Sequence, residues 1–197
     1  MKLLVCEGLD NVGKNHLISG LSSNFDNFCV RHFTSPPRGL SEEDAISNQK
    51  REFFREFLFY QKMSEWEESS STGRELSSLY VWNRSHLGEI VYGNIYRGYD
   101  ATSWVISLED HFSFDVIEDV YLLLMTSSDP EFLIRKDDGK SFSIEREKKE
   151  REMFLFNEVF SKSKIKKKCY LEVNTPSGEY LSAESIREKV MNFLNDK

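Results

Sequence analysis

The chain predicts an α/β fold, a mostly parallel sheet with helices on both faces, and three observations carry that reading. Short strand-like runs alternate with segments of helical period along the whole chain. The run Tyr121-Leu122-Leu123-Leu124 is apolar throughout, as suits a strand covered on both sides. The first run, Leu3-Leu4-Val5-Cys6, passes directly into a glycine-bounded loop, Gly8 to Gly13, and then into a helix-like segment.

The elements follow in order. Strand one is Leu3 to Cys6. A helix over His16 to Phe25 has Leu17, Ile18 and Leu21 on one face. Phe28 to Phe33 reads as strand two, and Pro36-Pro37 forbids its continuation. Ser41 before Glu42, Glu43 and Asp44 marks a helix start, because a capping hydroxyl and acids suit the positive helix end. That helical region runs to about Glu68 and is rich in aromatics; Ser69 to Gly73 is a polar turn. Leu79 to Trp82 is strand three, His86 to Ile95 a helix, and 102–112 another. Strand four centres on Tyr121–Leu124. Asp129-Pro130 opens a short helix ending near Arg135, and 136–140 is a charged loop. Ser143 to Ser161 is a long helix, Cys169 to Val173 strand five, and 183–195 the last helix. No repeat or boundary interrupts this, so 1–197 is read as one domain.

Composition narrows the function. With 197 residues the chain can bury a sizeable core. A net charge of −7 argues against a dedicated nucleic-acid binder. The lysines at 164–168 read as a solvated helix end that suits the dipole. Cys6, Cys29 and Cys169 are scattered and lack metal-ligand spacing, which fits free thiols in a reducing compartment. No stretch has the length of a membrane span or the form of a signal peptide, so a soluble cytoplasmic protein is expected. His16, His32, His86 and His111 have no ligand or triad spacing and are assigned no chemistry.

The strongest local signal is GLDNVGKN, residues 8–15. It follows the phosphate-loop pattern of Gly, four residues, Gly and Lys, with Asn15 in place of Ser or Thr. Glycines let backbone N–H groups turn inward around phosphate oxygens. The helix starting near Lys14 adds its positive end, and Lys14 a full charge.

Three segments then line up in order. CEGLDNVGKN, WNRSHLGEIVYG and RKDDGKSF resemble the opening loop, the Asp-Arg-Tyr/His motif and the lid of the thymidylate kinase branch of P-loop nucleoside monophosphate kinases. The small size and the lid are similar to viral and phage versions, which would place the protein in a host cytoplasm. The resemblance implies a P-loop NTPase-type three-layer α/β/α sandwich with a five-stranded parallel sheet and a lid. It implies phosphoryl transfer from ATP, with Mg²⁺, to a deoxynucleoside 5′-monophosphate, most readily dTMP or a related pyrimidine nucleotide. A nucleoside kinase, or a nucleotide-binding protein that has lost catalysis, stands as the alternative. A homodimer is implied, and no nucleic-acid or membrane partner.

The resemblance also implies roles. Gly8, Asn11, Val12, Gly13, Lys14 and Asn15 would hold the donor phosphates, with Asn15 near the metal through water. Asp10 would approach the acceptor sugar hydroxyl, Arg84 and Arg38 its phosphate, Tyr92 its sugar and Phe59 its base, within an acceptor region of about 34–66. Lys14, Arg84 and Arg135 would be catalytic, with Lys136 and Lys140 helping from a lid of about 135–143. Asn11 stands where some members carry a loop arginine, so the catalytic charge would come from the lid. Asn83 replaces the Asp before Arg84, and Met63 replaces an arginine that reads the base, with Lys62 beside it.

Overall fold

The computed structural model describes residues 1–70, 77–139 and 141–196. Five strands, β1 (Lys2–Gly8), β2 (Asn27–His32), β3 (Ser78–Asn83), β4 (Val120–Thr126) and β5 (Lys167–Glu172), form one sheet. Its order is β2-β3-β1-β4-β5, and every neighbouring pair is parallel. β1 therefore lies at the centre, with Val5 between Trp82 of β3 and Leu122 of β4. Consecutive strands fill one side of β1 and then the other. That reversal leaves the carboxyl end of β1 at the crevice where open α/β sheets take their ligands.

The helices are α1 (Lys14–Leu21), α2 (Glu42–Ser70), α3 (His86–Tyr92), α4 (Thr102–His111), α5 (Pro130–Arg135), α6 (Arg146–Lys162) and α7 (Ala183–Asn195). The α/β architecture is as expected. Most differences lie at element ends, and each has a local cause. α1 stops at Leu21 and a single 3₁₀ turn, Ser22–Asn24, replaces its last turn. α2 is one unbroken helix whose start is capped as expected, with Ser41 Oγ accepting from the Asp44 N–H at 3.2 Å. Ser69 and Ser70 are its last residues rather than a turn; positions 71–73 lie outside the described residues. After α3 the chain widens into a π-helical turn over Gly93–Arg97. A Cβ at Gly93 would stand 2.8 Å from the Tyr99 ring, so only glycine lets that ring close onto the turn. α6 begins three residues later than expected, because Ser143 Oγ accepts from the Glu145 N–H and holds a turn there. Lys168 closes α6 at its other end, with Nζ donating to Phe160 O at 2.6 Å and Ser163 O at 2.8 Å. The lysine run thus does serve the helix end.

β1 and β4 form the floor of the core: Leu3 to Cys6 and Val120 to Thr126 are buried throughout. α3 is buried along its full length, and α6 packs across it. On the β3 side the core is aromatic. Phe57 stacks on Phe114 at 4.8 Å and 15°, and lies 4.9 Å from both Trp82 and Phe112. Among the described residues no helix is long and apolar enough to cross a membrane.

Phe57 sits at the centre of this cluster, so Phe57→Ala should lower the unfolding free energy by about 3–5 kcal/mol. Urea denaturation followed by tryptophan fluorescence measures it. A loss below about 1 kcal/mol would mean that the cluster does not organise the core.

Candidate active site

The carboxyl end of β1 turns sharply at Gly8. Its φ is 137°, and a Cβ there would fall 1.9 Å from the Met125 carbonyl oxygen of β4, so no other residue fits this crossing. Asn11 (φ 63°) and Gly13 (φ 83°) are also left-handed. Asn tolerates that region better than most residues. The loop these turns produce wraps Lys14, whose ammonium is buried and donates to Gly8 O at 2.7 Å and Leu9 O at 2.5 Å. Burial, with Arg84 nearby, pulls Lys14 down to about 8.

Across the crevice β3 ends in Asn83. Arg84 leaves the strand with φ 60°, its N–H donating to Cys6 O at 3.1 Å. Its guanidinium lies 2.7 Å from Asp10 Oδ1. Asp10 is itself buried, and its Oδ2 has no hydrogen-bond partner among the described residues. The hydroxyl of Tyr92, also buried, is likewise without one. Burial, then the Asp10 charge, pushes Tyr92 well above the ordinary tyrosine value. Buried polar atoms left open in this way mark places where a ligand completes the hydrogen bonding. The structure therefore gathers Gly8, Asp10, Gly13, Lys14, Arg84 and Tyr92 around one crevice.

Asn15 and Asn83, two departures from the resemblance, are partners. Asn83 Nδ2 donates to Asn15 Oδ1 at 2.7 Å and lies 2.9 Å from His32 Nδ1. Asn83 Oδ1 is buried without a partner. Among the described residues no cluster of three His, Cys, Asp or Glu side chains can hold a metal. This neutral donor set fits a Mg²⁺ ion that keeps its waters and takes its other ligands from phosphate, rather than a protein-caged ion.

The segment after α5, expected as a lid, meets the loop at Asn11. Its Nδ2 donates to Asp137 Oδ2 at 2.8 Å and to Ser141 Oγ at 2.9 Å, and its carbonyl accepts from the Tyr180 hydroxyl. The Ser141 hydroxyl, aided by the Gly139 amide and Asn11, holds Asp137 below the usual carboxylate range. Arg135 is exposed and faces Asp129, 3.8 Å away, and Gly178. Lys136 lies over the Tyr180 ring and 3.5 Å from Glu179. Lys140 lies outside the described residues. A cavity of about 620 Å³ adjoins the loop on this side, lined by Val12, Gly13, His16, Tyr180, Leu181 and Arg187 among others.

One expectation is corrected. Phe59 does not reach the crevice: it is 47% exposed and packs edge-on against Tyr80, near the amino end of β3. The neighbouring Tyr60 hydroxyl is 3.4 Å from Met1 O, which places this part of α2 at the far end of the sheet. Rings at the carboxyl end of the sheet include Phe33, just after β2, with Phe53 5.1 Å from it, and Tyr92 with Phe142, also 5.1 Å apart. Lys62 pairs with Glu65 on the exposed face of α2. Arg38 is exposed on the loop after β2.

Four residues escaped the sequence reading. Lys149 and Glu152 are wholly buried on α6, 3.3 Å apart, and Tyr96 donates its hydroxyl to Glu152. Burial raises Glu152, and the Asp10 charge adds to that. A signal for them exists: the buried stripe Leu155, Phe156 and Val159, extended back at helical spacing, lands on Glu152 and Lys149. Glu7, at the end of β1, is buried against Ser85 and Gly88. His86 is buried between Ser85 and Glu109.

No family model matches the chain, and no curated protein matches its sequence. Solved structures match its fold. A YorR protein from Bacillus subtilis, in complex with phosphorylated GDP, superposes with a TM-score of 0.64 at 14% identity, covering 98% of this chain and 95% of its own. A thymidylate kinase from Ehrlichia chaffeensis gives 0.61 at 14% identity, covering 98% of both chains. A polyphosphate kinase 2 from Arthrobacter aurescens gives 0.53 at 11% identity, covering 98% of this chain and 67% of its own. At these identities the likeness is one of fold.

The contact between the loop and the segment after α5 is testable. Asn11→Gly keeps the left-handed backbone and removes the side-chain amide. Two hydrogen bonds at about 0.5–1.5 kcal/mol each predict amide exchange over 136–139 and Ser141 that is faster by about tenfold or more. Unchanged exchange, read by mass spectrometry, would mean that Asn11 does not hold that segment.

Proposed function

We propose that the chain is a deoxynucleoside monophosphate kinase that moves the γ-phosphoryl group of ATP to a 5′-monophosphate, dTMP or a related pyrimidine nucleotide. The observation that carries this reading is the pairing of Arg84 with Asp10 across from the buried Lys14, beside two buried polar atoms without partners. A loop that only bound or hydrolysed ATP would need no such second set.

In this reading the loop amides and Lys14 hold the donor phosphates. Lys14 exchanges the Gly8 and Leu9 carbonyls for phosphate oxygens as the nucleotide enters. Arg84 takes the acceptor phosphate, while Asp10 accepts from the sugar hydroxyl and Tyr92 lies against the sugar. Phe33 and Phe53 replace Phe59 as the rings beside the base. Mg²⁺, when bound with ATP, neutralises charge on the transferring group, and Asn15 would meet it through water. Arg135 and Lys136 supply further charge once the lid closes and excludes water. Asn11 ties that lid to the donor loop. The single chain 1–197 is the catalytic unit, and a second copy is the proposed partner, supported by the exposed Phe54, Leu58, Phe59 and Trp66 on α2.

A screen of acceptors by coupled ADP release tests the reading, with guanine nucleotides included. Turnover should require a monophosphate and fail with the free nucleoside. Absence of acceptor-dependent turnover in folded protein would overturn it. Lys14→Ala should lower turnover by about two decades or more, the scale of losing one transition-state donor.

The pH dependence follows from Lys14. Between about 8 and the ordinary lysine value the unfolded chain holds this proton and the fold releases it, so stability rises with pH across that window. Phosphate binding needs the charged form, so ATP affinity should fall as pH rises through about 8, by up to about tenfold per unit. Calorimetric titration of wild type against Lys14→Arg, charged throughout, checks this; a fall shared by both would assign it elsewhere.

A further inference from the structure

Beneath the Arg84 turn lies an unbroken chain of buried side chains that the phosphoryl-transfer reading does not use. Glu7 Oε1 is 3.2 Å from Ser85 Oγ and accepts the Gly88 N–H at 3.0 Å. Ser85 Oγ is 2.9 Å from His86 Nδ1, and His86 Nε2 is 2.9 Å from Glu109 Oε1. Glu109 also accepts from Ser163 Oγ at 2.9 Å and from the Lys164 N–H at 2.6 Å. Glu7, Ser85, His86 and Glu109 are all buried.

Counting hydrogens restricts the protonation of this chain. Glu109 accepts from the Ser163 hydroxyl and the Lys164 N–H and is held below the usual carboxylate range, so it is ionised, and the contact with His86 requires Nε2 to carry the hydrogen. Burial alone would raise Glu109, but His86 and these donors hold it below the usual range. Ser85 has one hydroxyl hydrogen and two neighbours. If that hydrogen goes to Glu7, His86 Nδ1 must be the donor on the other side. If it goes to Nδ1, Glu7 must carry a proton and donate it. Either way, one proton is shared between Glu7 and Nδ1 across the Ser85 hydroxyl.

We propose that Glu7, Ser85 and His86 form a proton relay whose setting reports the charge in the phosphate loop, with Ser85 and His86 as positioning residues for the donor site. The step balances. His86 Nδ1–H breaks as Ser85 gains that hydrogen, while the original Ser85 O–H breaks as Glu7 Oε1–H forms. Total charge and proton count are unchanged, and a negative charge has left Glu7. The groups around the relay define its response. From α1, Lys14 acts electrostatically on Glu7, while burial keeps Glu7 raised. From α4, Glu109 faces Nε2, and Lys168 lies within electrostatic reach of Glu109. The other neighbours are rings: Phe53 and Phe57 of α2, Trp82 of β3 and Phe114, all within 6.4 Å of the imidazole.

The direction of response rests on the proposed donor site. Free, the loop leaves Lys14 near Glu7 and favours the ionised carboxylate, with the proton on Nδ1. When a polyphosphate takes Lys14 and brings its own negative charge, an anionic Glu7 is disfavoured and the proton moves to it. The β1–phosphate loop thereby meets an anion without a buried anion behind it, and no proton need come from solvent.

Nitrogen-15 imidazole NMR of the full chain at pH 7.5, with and without ADP, tests this. His86 Nδ1 should shift from the protonated toward the unprotonated range on ADP addition, and Nε2 should stay protonated. Ser85→Ala should abolish the Nδ1 response, and Ser85→Thr, which keeps the hydroxyl, should restore it. ADP binding, seen at the Gly13 and Lys14 amides, with no change at Nδ1 would overturn the relay and leave the donor site standing. No amide response at all would instead overturn the donor site. If Ser85→Ala does not fold, the wild-type comparison decides alone.

Discussion

The site depends on one buried charge. The Lys14 ammonium has been taken out of water and given two carbonyl oxygens in exchange. Neutral acceptors do not repay the desolvation of a cation, which is why burial pulls it down. The loop that imposes this environment is possible only because β1 and β4 approach so closely at Gly8 that a methyl group is excluded. The central strand pair thus sets the loop, and the loop leaves a cation whose better partner is an anion from outside. The residues across the crevice answer the same need, with Asp10 close enough to support Lys14 while engaging Arg84.

Much of the fold was legible because its signals are local. The apolar runs of β1 and β4, the proline pair after β2, Ser41 at the start of α2 and Asp129 before Pro130 each act within a few residues. Asp129 does accept from the Glu131 N–H at 2.9 Å, as a capping residue should. Loop residues 8–15 were legible for the same reason. Phe59 was misplaced because α2 is a single helix of 29 residues, and only its first turns lie at the ligand end of the sheet. Spacing along a helix fixes which side a ring occupies; it does not fix which end of the sheet that turn reaches. Lys149 and Glu152 were hidden by composition, since a run of charges reads as a solvated face until its period is compared with the apolar stripe that follows. His86 was given no role because its partner Glu109 lies on α4, and no spacing within one segment reveals such a contact.

The two asparagines that looked like separate losses make sense together. A hydroxyl at position 15 and a carboxylate at position 83 would put a donor opposite an anion. Asn15 and Asn83 keep a hydrogen bond between the two positions but reverse it, with Asn83 donating to Asn15 and no negative charge present. That matters in a crevice that already buries Asp10 and Glu7. A further carboxylate at 83 would add a third negative charge beside them. With an amide there, the loop and β3 stay tied and no charge is added.

The same economy of charge explains why the interior around α3 can be so polar. Glu7, Lys14, Asp10, Arg84, His86, Glu109, Lys149 and Glu152 occupy the space between β1, α3, α4 and α6, and most are buried. Buried ions are tolerable only in mutual contact, and deleting one strands its partner at greater cost than the pair was worth. The contacts are accordingly closed: Lys149 with Glu152, His86 with Glu109, Arg84 with Asp10. Asp10 Oδ2, the Tyr92 hydroxyl and Asn83 Oδ1 have no hydrogen-bond partner beside the Gly8–Gly13 loop, and elsewhere among the described residues Arg31 Nε, Trp82 Nε1, Trp104 Nε1 and Asn174 Oδ1 have none either. The three open oxygens at the crevice are acceptors, and the tyrosine hydroxyl can also donate, so a molecule bearing hydroxyl groups would satisfy them where an apolar one would not.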